Sequence, residues 1–339
     1  MKAFLILAHN DPMHLQSLIN KLSSKDDFIF VHVDKNVDIK VFDSLANCND
    51  NLFFIKKRYS ISWGGFSMIE AMLALIYEAT NLNKMFSHLI FLSGNDYPIK
   101  EKKQIDVFFR ENEGIEIVKA YKITNNGCSH CNCKITRYWY FDSNVKNNFL
   151  RKFSIKIRNM LGSLKRKENK VLLNNRKVPV YFGSQWFAIT ERCALYILDT
   201  VRKNPKFVDY FKTSMAPDEM FFHTIIFNSK FNNFTTLGEP EEYNPNWNLS
   251  NYTYLDSTKL NCYFKKEVKR KKFSTYIYQI LRSEKVGSIP YLTSLDYEKI
   301  CESQFLFARK FNFLVSKKLI KKINNFETQD GQTYEIDNE

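Results

Sequence analysis

Apolar runs alternate with amphipathic stretches through the first hundred residues of this chain. Four short runs bounded by polar residues are typical of buried strands: 4–8, 28–33, 53–55 and 87–93. Between them, 14–22 and 66–77 have apolar residues at the three- and four-residue spacing of helices. This strand and helix order predicts an α/β fold with a Rossmann-like, mixed but mostly parallel sheet and helices on both faces.

Polar residues follow two of these strands directly. Asp34 and Lys35 come after the strand at 28–33, and Asn95 and Asp96 come after the strand at 87–93. In open parallel sheets, ligands bind outside the carboxyl ends of the strands, where the strand order switches. The pattern therefore nominates these side chains for a ligand site.

The pattern changes in the second half of the chain. Residues of about 125–177 are rich in Asn, Lys and Arg, which indicates an insertion or lid. Core-like sequence returns at 179–189, where Gly183 and Ser184 predict either a tight turn before a strand or backbone amides that meet a substrate. We expect a catalytic domain over 1–257, a C-terminal extension over 258–326, and a disordered tail over 327–339.

Composition limits the class of protein. The 339 residues are 44% hydrophobic and 15% aromatic, as in a globular protein, and the apolar opening is too short for an anchor or a signal. Seven cysteines, an odd number in a long chain, argue against a disulfide framework and predict a cytoplasmic protein. Cys128, Cys131 and Cys133, with His130 among them, lack the second ligand pair of a structural zinc site, so loop cysteines are the favoured interpretation.

The formal charge of +14 indicates a polyanionic partner, such as nucleic acid, an anionic membrane surface or a phosphorylated substrate. Basic and apolar residues interleave over 152–170, a pattern that predicts either a membrane-surface helix or a solvated, lysine-rich face. No zinc-finger or RNP-type motif accompanies this charge in the sequence.

Familiar phosphate-binding motifs are missing from the sequence: it contains no Walker A loop, no Gly-x-Gly-x-x-Gly and no Asp-x-Asp. A bound diphosphate would therefore need lysine or arginine to neutralise it instead of a divalent metal. Arg309 and Lys310, between Phe307 and Phe311, are candidates, although surface charge on an amphipathic helix has the same pattern.

Pro217, Asp218 and Glu219 precede an apolar stretch that extends to about Phe227. Proline suits the first turn of a helix, so the pattern predicts two carboxylates beside unpaired amides. Either the carboxylates complement the helix dipole, or one of them is catalytic.

Six landmarks, in order along the chain, resemble the core 2/I-branching β-1,6-N-acetylglucosaminyltransferase family, which also contains the peptide O-xylosyltransferases. They are His32-Val33-Asp34-Lys35, Trp63-Gly64-Gly65, the nine residues from Leu92 to Lys100, Gly183-Ser184-Gln185-Trp186-Phe187, Pro217-Asp218-Glu219, and the six residues from Leu306 to Phe311. The resemblance implies a bacterial member with a GT-A type fold, an inverting reaction, and a UDP-sugar donor used without a divalent metal.

The same resemblance implies a role for individual residues. Glu219 would be the general base, and Lys310 would bind the diphosphate with help from Arg309. Asp34 would contact the uridine, and the remaining donor-site residues would be His9, Trp63 and Asp96. The residues expected to bind the acceptor are Lys134, Arg137, Tyr138, Gln185, Trp186, Asp218 and Trp247.

Two departures from the family pattern affect the expected substrates. Thr253 and Ser257 replace the usual arginine and tryptophan around Tyr254, and Gly287 replaces an upstream diphosphate-binding arginine, for which Lys285 or Arg309 could compensate. The resemblance predicts transfer of β-linked N-acetylglucosamine to a bacterial surface glycan, with UDP-xylose or another donor as the alternative. Such acceptors are commonly lipid-linked, so the net charge would hold a peripheral enzyme at an anionic inner leaflet. A glycan- or nucleotide-binding module without turnover, and a nucleic-acid-binding protein, are the alternatives outside enzymes.

Overall fold

A computed structural model describes residues 1–45, 50–124, 129–142, 148–235, 277–279, 291–303 and 305–326. The strands are β1 Lys2–Ala8, β2 Phe28–Val33, β3 Leu52–Phe54, β4 His88–Ser93, β5 Asp96–Pro98, β6 Ala120–Lys122, β7 Lys170–Leu173, β8 Arg176–Pro179, β9 Tyr181–Gly183, β10 Ala188–Ile189, β11 Ile277–Gln279 and β12 Phe307–Arg309. The helices are α1 Pro12–Leu22, α2 Ser67–Asn81, α3 Lys102–Glu111, α4 Ser129–Thr136, α5 Asn148–Ser163, α6 Glu191–Lys203, α7 Pro205–Lys212, α8 Phe221–Phe227, α9 Tyr297–Glu302 and α10 Phe313–Phe326.

The central sheet has five strands in the order β10-β4-β1-β2-β3. Strand β1 pairs in parallel with both β2 and β4, β2 pairs in parallel with β3, and β10 closes one edge as an antiparallel strand. The four strands expected from the apolar runs are all present, and the α/β class with a mostly parallel sheet is confirmed. The chain moves outward from β1 to β3 and then returns to the other side of β1, so the strand order switches between β1 and β4.

Helices cover both faces of this sheet because successive side chains of a strand point to opposite sides. Ala3, Leu5 and Leu7 of β1 belong to one core cluster, which includes residues of α2 and α6. The alternate residues Phe4, Ile6 and Ala8 belong to a second cluster, which includes residues of α1, α3 and α10. Burial of both faces explains why these strands are continuous apolar runs without polar alternation.

The C-terminal segment packs on the second core cluster. Leu292, Phe307, Phe311 and Leu319 lie in it together with residues of β1 and α1. Strand β12 pairs antiparallel with β5, which follows β4 directly. This pairing brings residues some two hundred positions apart in sequence to the same edge of the central sheet.

The expected insertion at about 125–177 contains helices α4 and α5 and the start of a hairpin. Strands β7 and β8 form this hairpin, which the sequence pattern did not predict. Its two-residue turn, Asn174 and Asn175, has left-handed backbone at both positions (φ 49° and 60°), a conformation that asparagine tolerates better than most residues. The predicted disordered tail over 327–339 lies outside the described residues.

Candidate active site

A cavity of about 470 Å³ opens at the carboxyl end of the central sheet, within the size range of small-molecule sites. Strand β1 contributes Leu7 and Ala8, followed by His9; Asp34 follows β2, and Asn95 follows β4. The cavity therefore lies at the switch in strand order, where the sequence pattern predicted a ligand site. Its other lining residues come from distant segments: Ile61, Trp63, Gly64, Met68, Ser93, Ser184, Gln185, Trp186, Ala216, Asp218, Glu219, Arg309 and Lys310.

Both candidate carboxylates project from a short 3₁₀ turn over Pro217–Glu219. The prediction that they begin the following helix is wrong, because α8 starts only at Phe221 and neither side chain caps it. The turn is entered through Ala216, which has left-handed backbone (φ 48°) and donates its N–H to the Gly64 carbonyl oxygen. The carboxylates are thus held by a separate turn, and complementing the dipole of α8 does not explain their position.

Lys134, which lies on α4 of the insertion, forms an ion pair with Glu219. Its Nζ lies 2.6 Å from Glu219 Oε2, and both side chains are largely buried. The Lys134 ammonium also lies 4.8 Å from the centre of the Phe182 ring. A buried ion pair of this kind holds the carboxylate in one orientation.

The neighbouring Asp218 has different electrostatics. Burial raises the pKa of its carboxyl, and the nearby charge of Glu219 raises it further. Lys134 opposes both effects, but it is bonded to Glu219 and not to Asp218. Of the two carboxylates on this turn, Glu219 is therefore the one paired with a cation, and Asp218 is the one whose ionisation the fold disfavours.

Asp218→Asn is expected to stabilise the folded protein by an amount that grows from pH 5 to pH 8. An aspartate whose folded-state pKa is raised stabilises the fold most when it is protonated. The wild type therefore loses stability as the pH rises from the ordinary aspartate pKa towards the raised pKa of the folded state. The amide does not ionise, and we expect its Tm advantage to reach about 2 °C or more at pH 8. Calorimetric Tm values at each pH unit would measure this.

The control for this prediction is Asp209→Asn, because the Asp209 side chain is exposed and no comparable burial acts on it. The Tm difference between that variant and the wild type should stay constant over the same pH range. A constant difference for Asp218→Asn as well would contradict the burial of an ionisable carboxyl at this position.

Two adjacent cations, Arg309 and Lys310, also line the cavity. The Arg309 guanidinium lies 4.3 Å from the centre of the Trp186 ring, and its Nε lies 3.4 Å from Asp96 Oδ1. Lys310 is half-buried, and this burial, together with the charge of Arg309, lowers the pKa of its ammonium. The flanking residues Phe307 and Phe311 are fully buried, so the aromatic residues anchor the pair as the sequence suggested.

Asp96 does not line the cavity, which corrects its expected contact with the donor. Its side chain is fully buried and accepts hydrogen bonds from the Ser93 N–H (2.7 Å) and from Ser93 Oγ (3.0 Å). Its remaining close charge is that of Arg309. The strand-end pattern identified the end of the sheet at which the cavity opens, but Asp96 itself is buried beneath Arg309 and orients that side chain.

His9 and Asp34 lie in the same electrostatic environment as the cations. Burial lowers the pKa of His9, and the positive charges of Lys310 and Arg309 lower it further. The negative charge of Asp34 raises this pKa and so opposes the other effects. Asp34 is buried, and its Oδ1 accepts a hydrogen bond from the Asn36 N–H (2.8 Å). Four of the residues expected at a donor site, His9, Asp34, Arg309 and Lys310, are therefore brought together at the ends of β1, β2 and β12.

Asn95 and Asp11 hold Lys310 near the end of β1, and the sequence did not single out Asp11. The Asn95 carbonyl oxygen accepts from the Phe311 N–H (2.7 Å), and Asn95 Nδ2 donates to the Phe311 carbonyl oxygen (3.2 Å). Asp11 caps α1, and its second oxygen accepts from Asn312 Nδ2 and the Phe313 N–H. The Asp-Pro sequence at 11–12 is a signal for a helix start that could have identified this residue.

The Trp63-Gly64-Gly65 landmark is held by residues of the insertion. A Cβ at Gly65 would lie 2.5 Å from Asp142 Oδ1, and the Phe141 ring contacts Gly64, whose φ is 75°. Asp142 also accepts from Ser67 Oγ (2.6 Å) and from the Ser67 N–H (3.1 Å). Gly65 is needed because another segment approaches its backbone closely, and Gly64 because its backbone is left-handed. Trp63 is left 76% exposed at the cavity.

The residues expected to bind the acceptor are only partly brought together. Gln185, Trp186 and Asp218 line the cavity, and Lys134 lies beside it on Glu219. Arg137 and Tyr138 do not line the cavity, which corrects the expected acceptor site. The Tyr138 ring lies instead 5.3 Å from Lys167 Nζ. Trp247 lies outside the described residues, as does Lys285.

Gly183 is required for the close packing of neighbouring segments. A Cβ at this position would overlap the Lys119 carbonyl oxygen and lie 2.5 Å from His223 Cδ2. The next residues, Ser184 and Gln185, line the cavity. The glycine therefore permits the close approach of β6 and α8, and its neighbours are the ones available to a substrate.

Lys167 is a partly buried lysine that sequence analysis missed. Its Nζ donates to the carbonyl oxygens of Tyr210 and Thr213 and to the hydroxyls of Thr213 and Ser214, at 2.9–3.2 Å. Burial lowers its pKa to about 7. Lys167 thus fixes the loop that leads into Ala216 and the carboxylate turn. The sequence does not predict this contact, because Lys167 is one of many lysines in a basic run.

The cysteine motif lies only partly within the described residues. Cys128 is outside them, and the side chains of His130 and Cys131 are not described. The backbone at Ser129–Thr136 is helical, so Cys131 and Cys133 belong to α4 and not to a loop. Within the described residues, no group of three His, Cys, Asp or Glu side chains is placed to hold a metal ion.

Residues 2–281 match the profile of the family described as Core-2/I-Branching enzyme. Xylosyltransferase 1 of Rattus norvegicus is 24% identical over 239 residues, which cover 67% of this chain and 26% of the rat protein. The beta-1,3-galactosyl-O-glycosyl-glycoprotein beta-1,6-N-acetylglucosaminyltransferase of Bos taurus is 22% identical over 226 residues, which cover 66% of this chain and 48% of the bovine protein.

Among solved structures, S. aureus TarS is 16% identical with a TM-score of 0.26, over 40% of this chain and 25% of that one. The chain matches about a quarter to a half of the length of the two curated relatives.

Proposed function

The chain belongs to the core-2/I-branching enzyme family, and we propose that it is an inverting glycosyltransferase that moves N-acetylglucosamine, in β-linkage, from a UDP-sugar to a hydroxyl of a bacterial surface glycan. The observation that carries this proposal is the composition of one cavity wall. Glu219, a carboxylate held by a lysine, lines the same cavity as Arg309 and Lys310, which come from a distant segment. An inverting transfer needs a base and a positive site for the leaving diphosphate.

In the proposed reaction Glu219 accepts the proton of the acceptor hydroxyl as that oxygen attacks the anomeric carbon. The new oxygen–carbon bond forms on the face opposite the bond that breaks, and UDP departs with the bonding electrons. Lys310 and Arg309 would neutralise the charge that develops on the diphosphate. Side-chain cations would thereby replace a divalent metal, in keeping with the lack of Asp-x-Asp in the sequence.

The donor would occupy the part of the cavity at the strand ends. Asp34 would accept hydrogen bonds from the uridine, and His9 and Trp63 would line the nucleotide and sugar. Asp96 would act through Arg309, because it is buried behind that side chain. The acceptor would approach from the side of Gln185, Trp186 and Asp218, where Glu219 also lies.

Lys134 has a more specific role in this proposal than contact with an acceptor. Its ion pair uses Glu219 Oε2. No hydrogen bond from the described part of the chain reaches Oε1, which leaves this oxygen to receive the proton. Lys134 would therefore fix the orientation of the base and aim it into the cavity.

Transfer of xylose is the second candidate, because one of the relatives reported above is named a xylosyltransferase. The cavity residues named here bind the nucleotide, the diphosphate and the acceptor proton, and none of them identifies the sugar. A binding module without turnover would retain the cavity, but it would have no use for a carboxylate paired with a buried lysine.

The test is release of UDP from a panel of UDP-sugars, UDP-N-acetylglucosamine and UDP-xylose among them, with and without EDTA and with oligosaccharide acceptors. We expect selective release from UDP-N-acetylglucosamine that EDTA leaves unchanged. Activity that EDTA abolishes would contradict the metal-free mechanism, and selective use of UDP-xylose would favour the second candidate. Absence of UDP release together with absence of UDP binding in calorimetry would overturn the proposal as a whole.

A further inference from the structure

Helix α5 presents an apolar stripe to solvent. Phe153, Ile157 and Leu161, followed by Leu164 just beyond the helix, recur at spacings of four, four and three residues, which places them within about 80° of arc. Between 37% and 80% of each of these side chains is exposed. Single exposed apolar residues are ordinary on protein surfaces, but a continuous helical stripe indicates a binding surface.

The opposite face of α5 packs against the protein, so the outward direction of the stripe is defined. Asn159 exchanges hydrogen bonds with the Tyr140 backbone: its Oδ1 accepts from the N–H (2.7 Å), and its Nδ2 donates to the carbonyl oxygen (3.2 Å). Gly162 allows this approach, because a Cβ there would lie 2.6 Å from the Tyr138 carbonyl oxygen. The helix is therefore attached by its polar side, and its apolar side faces away.

The charge around the stripe has a single sign. Between Asp142 and Glu168 the sequence contains eight lysines and arginines and no acidic residue. Lys152, Lys156 and Lys165 are exposed; Lys156 flanks the stripe on α5, and Lys165 follows Leu164 just beyond the helix. An apolar stripe bordered by cations is the pattern of helices that lie in the plane of a membrane, with the lysine ammonium groups at the level of the lipid phosphates.

This charge also discriminates between possible partners. A second copy of the chain would place its own exposed lysines against these, which is repulsive, and the aliphatic side chains of the stripe have no counterpart on the phosphate backbone of nucleic acid. An anionic bilayer satisfies both features. Within the described residues, no helix is long and apolar enough to cross a bilayer, so this would be contact with one leaflet.

We propose that the stripe of Phe153, Ile157, Leu161 and Leu164, with its flanking lysines, docks the protein on an anionic lipid surface. The helix is connected to the cavity through a short path: Asn159 holds Tyr140, and the next residues, Phe141 and Asp142, hold Gly64 and Gly65. Docking through α5 would thus bring the Gly64 side of the cavity towards the membrane. The docking does not rest on the proposed function.

The test is co-sedimentation of the full chain with vesicles of phosphatidylcholine, with and without 30% phosphatidylglycerol. We expect at least tenfold tighter binding to the anionic vesicles. Binding should fall at least tenfold in a Phe153→Gln, Leu161→Gln, Leu164→Gln variant. It should be unchanged in a matched control with Met85→Gln, Leu295→Gln and Leu314→Gln, since those apolar side chains lie elsewhere and are at least as exposed. A Lys152→Gln, Lys156→Gln, Lys165→Gln variant should lose the preference for anionic lipid.

Three results would overturn the proposal: equal binding of the wild type to both vesicles, full binding by the α5 glutamine variant, or a dimer in light scattering that this variant dissociates. UDP release measured without vesicles should stay within twofold of the wild type in the same variant, and its circular dichroism should match. Absence of both UDP release and UDP binding, with intact vesicle binding, would contradict the proposed function alone, so the two failures are distinguishable.

Discussion

Glu219→Gln is expected to lower the rate of transfer by about a hundredfold or more while UDP still binds, because a positioned general base typically contributes that much. The amide has nearly the same shape as the carboxylate but cannot accept the proton of the acceptor hydroxyl. Glu219 is held beside the cavity by Lys134 at 2.6 Å, so its loss should change chemistry more than donor affinity. Measured kcat for transfer and a calorimetric Kd for UDP would separate the two.

The substitution also leaves the buried Lys134 ammonium without its counter-charge, and a loss of fold could imitate a loss of base. A Lys134→Met, Glu219→Gln double variant removes both charges and should be as inactive as the single variant while its Tm recovers. Glu298→Gln, at an exposed position, is the matched control and should transfer normally. Transfer near the wild-type rate in Glu219→Gln would remove Glu219 from its proposed role.

Lys310→Ala is expected to lower kcat/KM for the donor by about a hundredfold, a loss typical of removing one group that stabilises transition-state charge. Charge accumulates on the departing diphosphate, so kcat should fall together with donor affinity. Lys318→Ala, on the exposed face of α10, is the control and should be neutral. A Lys310→Ala variant with normal kcat and KM would place the diphosphate elsewhere.

The pH dependence of the same residue provides a second measurement. Burial and the charge of Arg309 lower the pKa of Lys310, so its ammonium deprotonates at a lower pH than an exposed lysine would. Activity of the wild type should therefore decline on the alkaline side of the profile as that charge is lost. Lys310→Arg remains charged and should retain activity further into the alkaline range.

Local sequence identified most of the central sheet and many of the cavity residues. Strands β1, β2 and β4 are recognisable because burial on both faces makes them continuous apolar runs, and Asp34 and Asn95 stand where those runs end. The hairpin of β7 and β8 was missed because its residues alternate only weakly, and its Asn-Asn turn is less distinctive than Asn-Gly.

Contacts between distant segments were beyond the reach of any local pattern. The pairing of Lys134 with Glu219, the burial of Asp96 behind Arg309 and the bonds of Lys167 each join residues that lie between 40 and 220 positions apart. Arg137 and Tyr138 were misplaced for the same reason, since the packing of the insertion, and not the spacing after Lys134, determines where they lie.

The sequence by itself determined the α/β class, the edge of the sheet at which the cavity opens, and the chemical types available there: carboxylates at 218–219 and cations at 309–310. These follow from periodicity and from residue chemistry, which are local properties. The tertiary structure decided which carboxylate is paired and which is merely buried, which cation is pinned against an aromatic ring, and which side of α5 faces solvent. Those outcomes depend on desolvation and on distances between segments, and both exist only once the chain has packed.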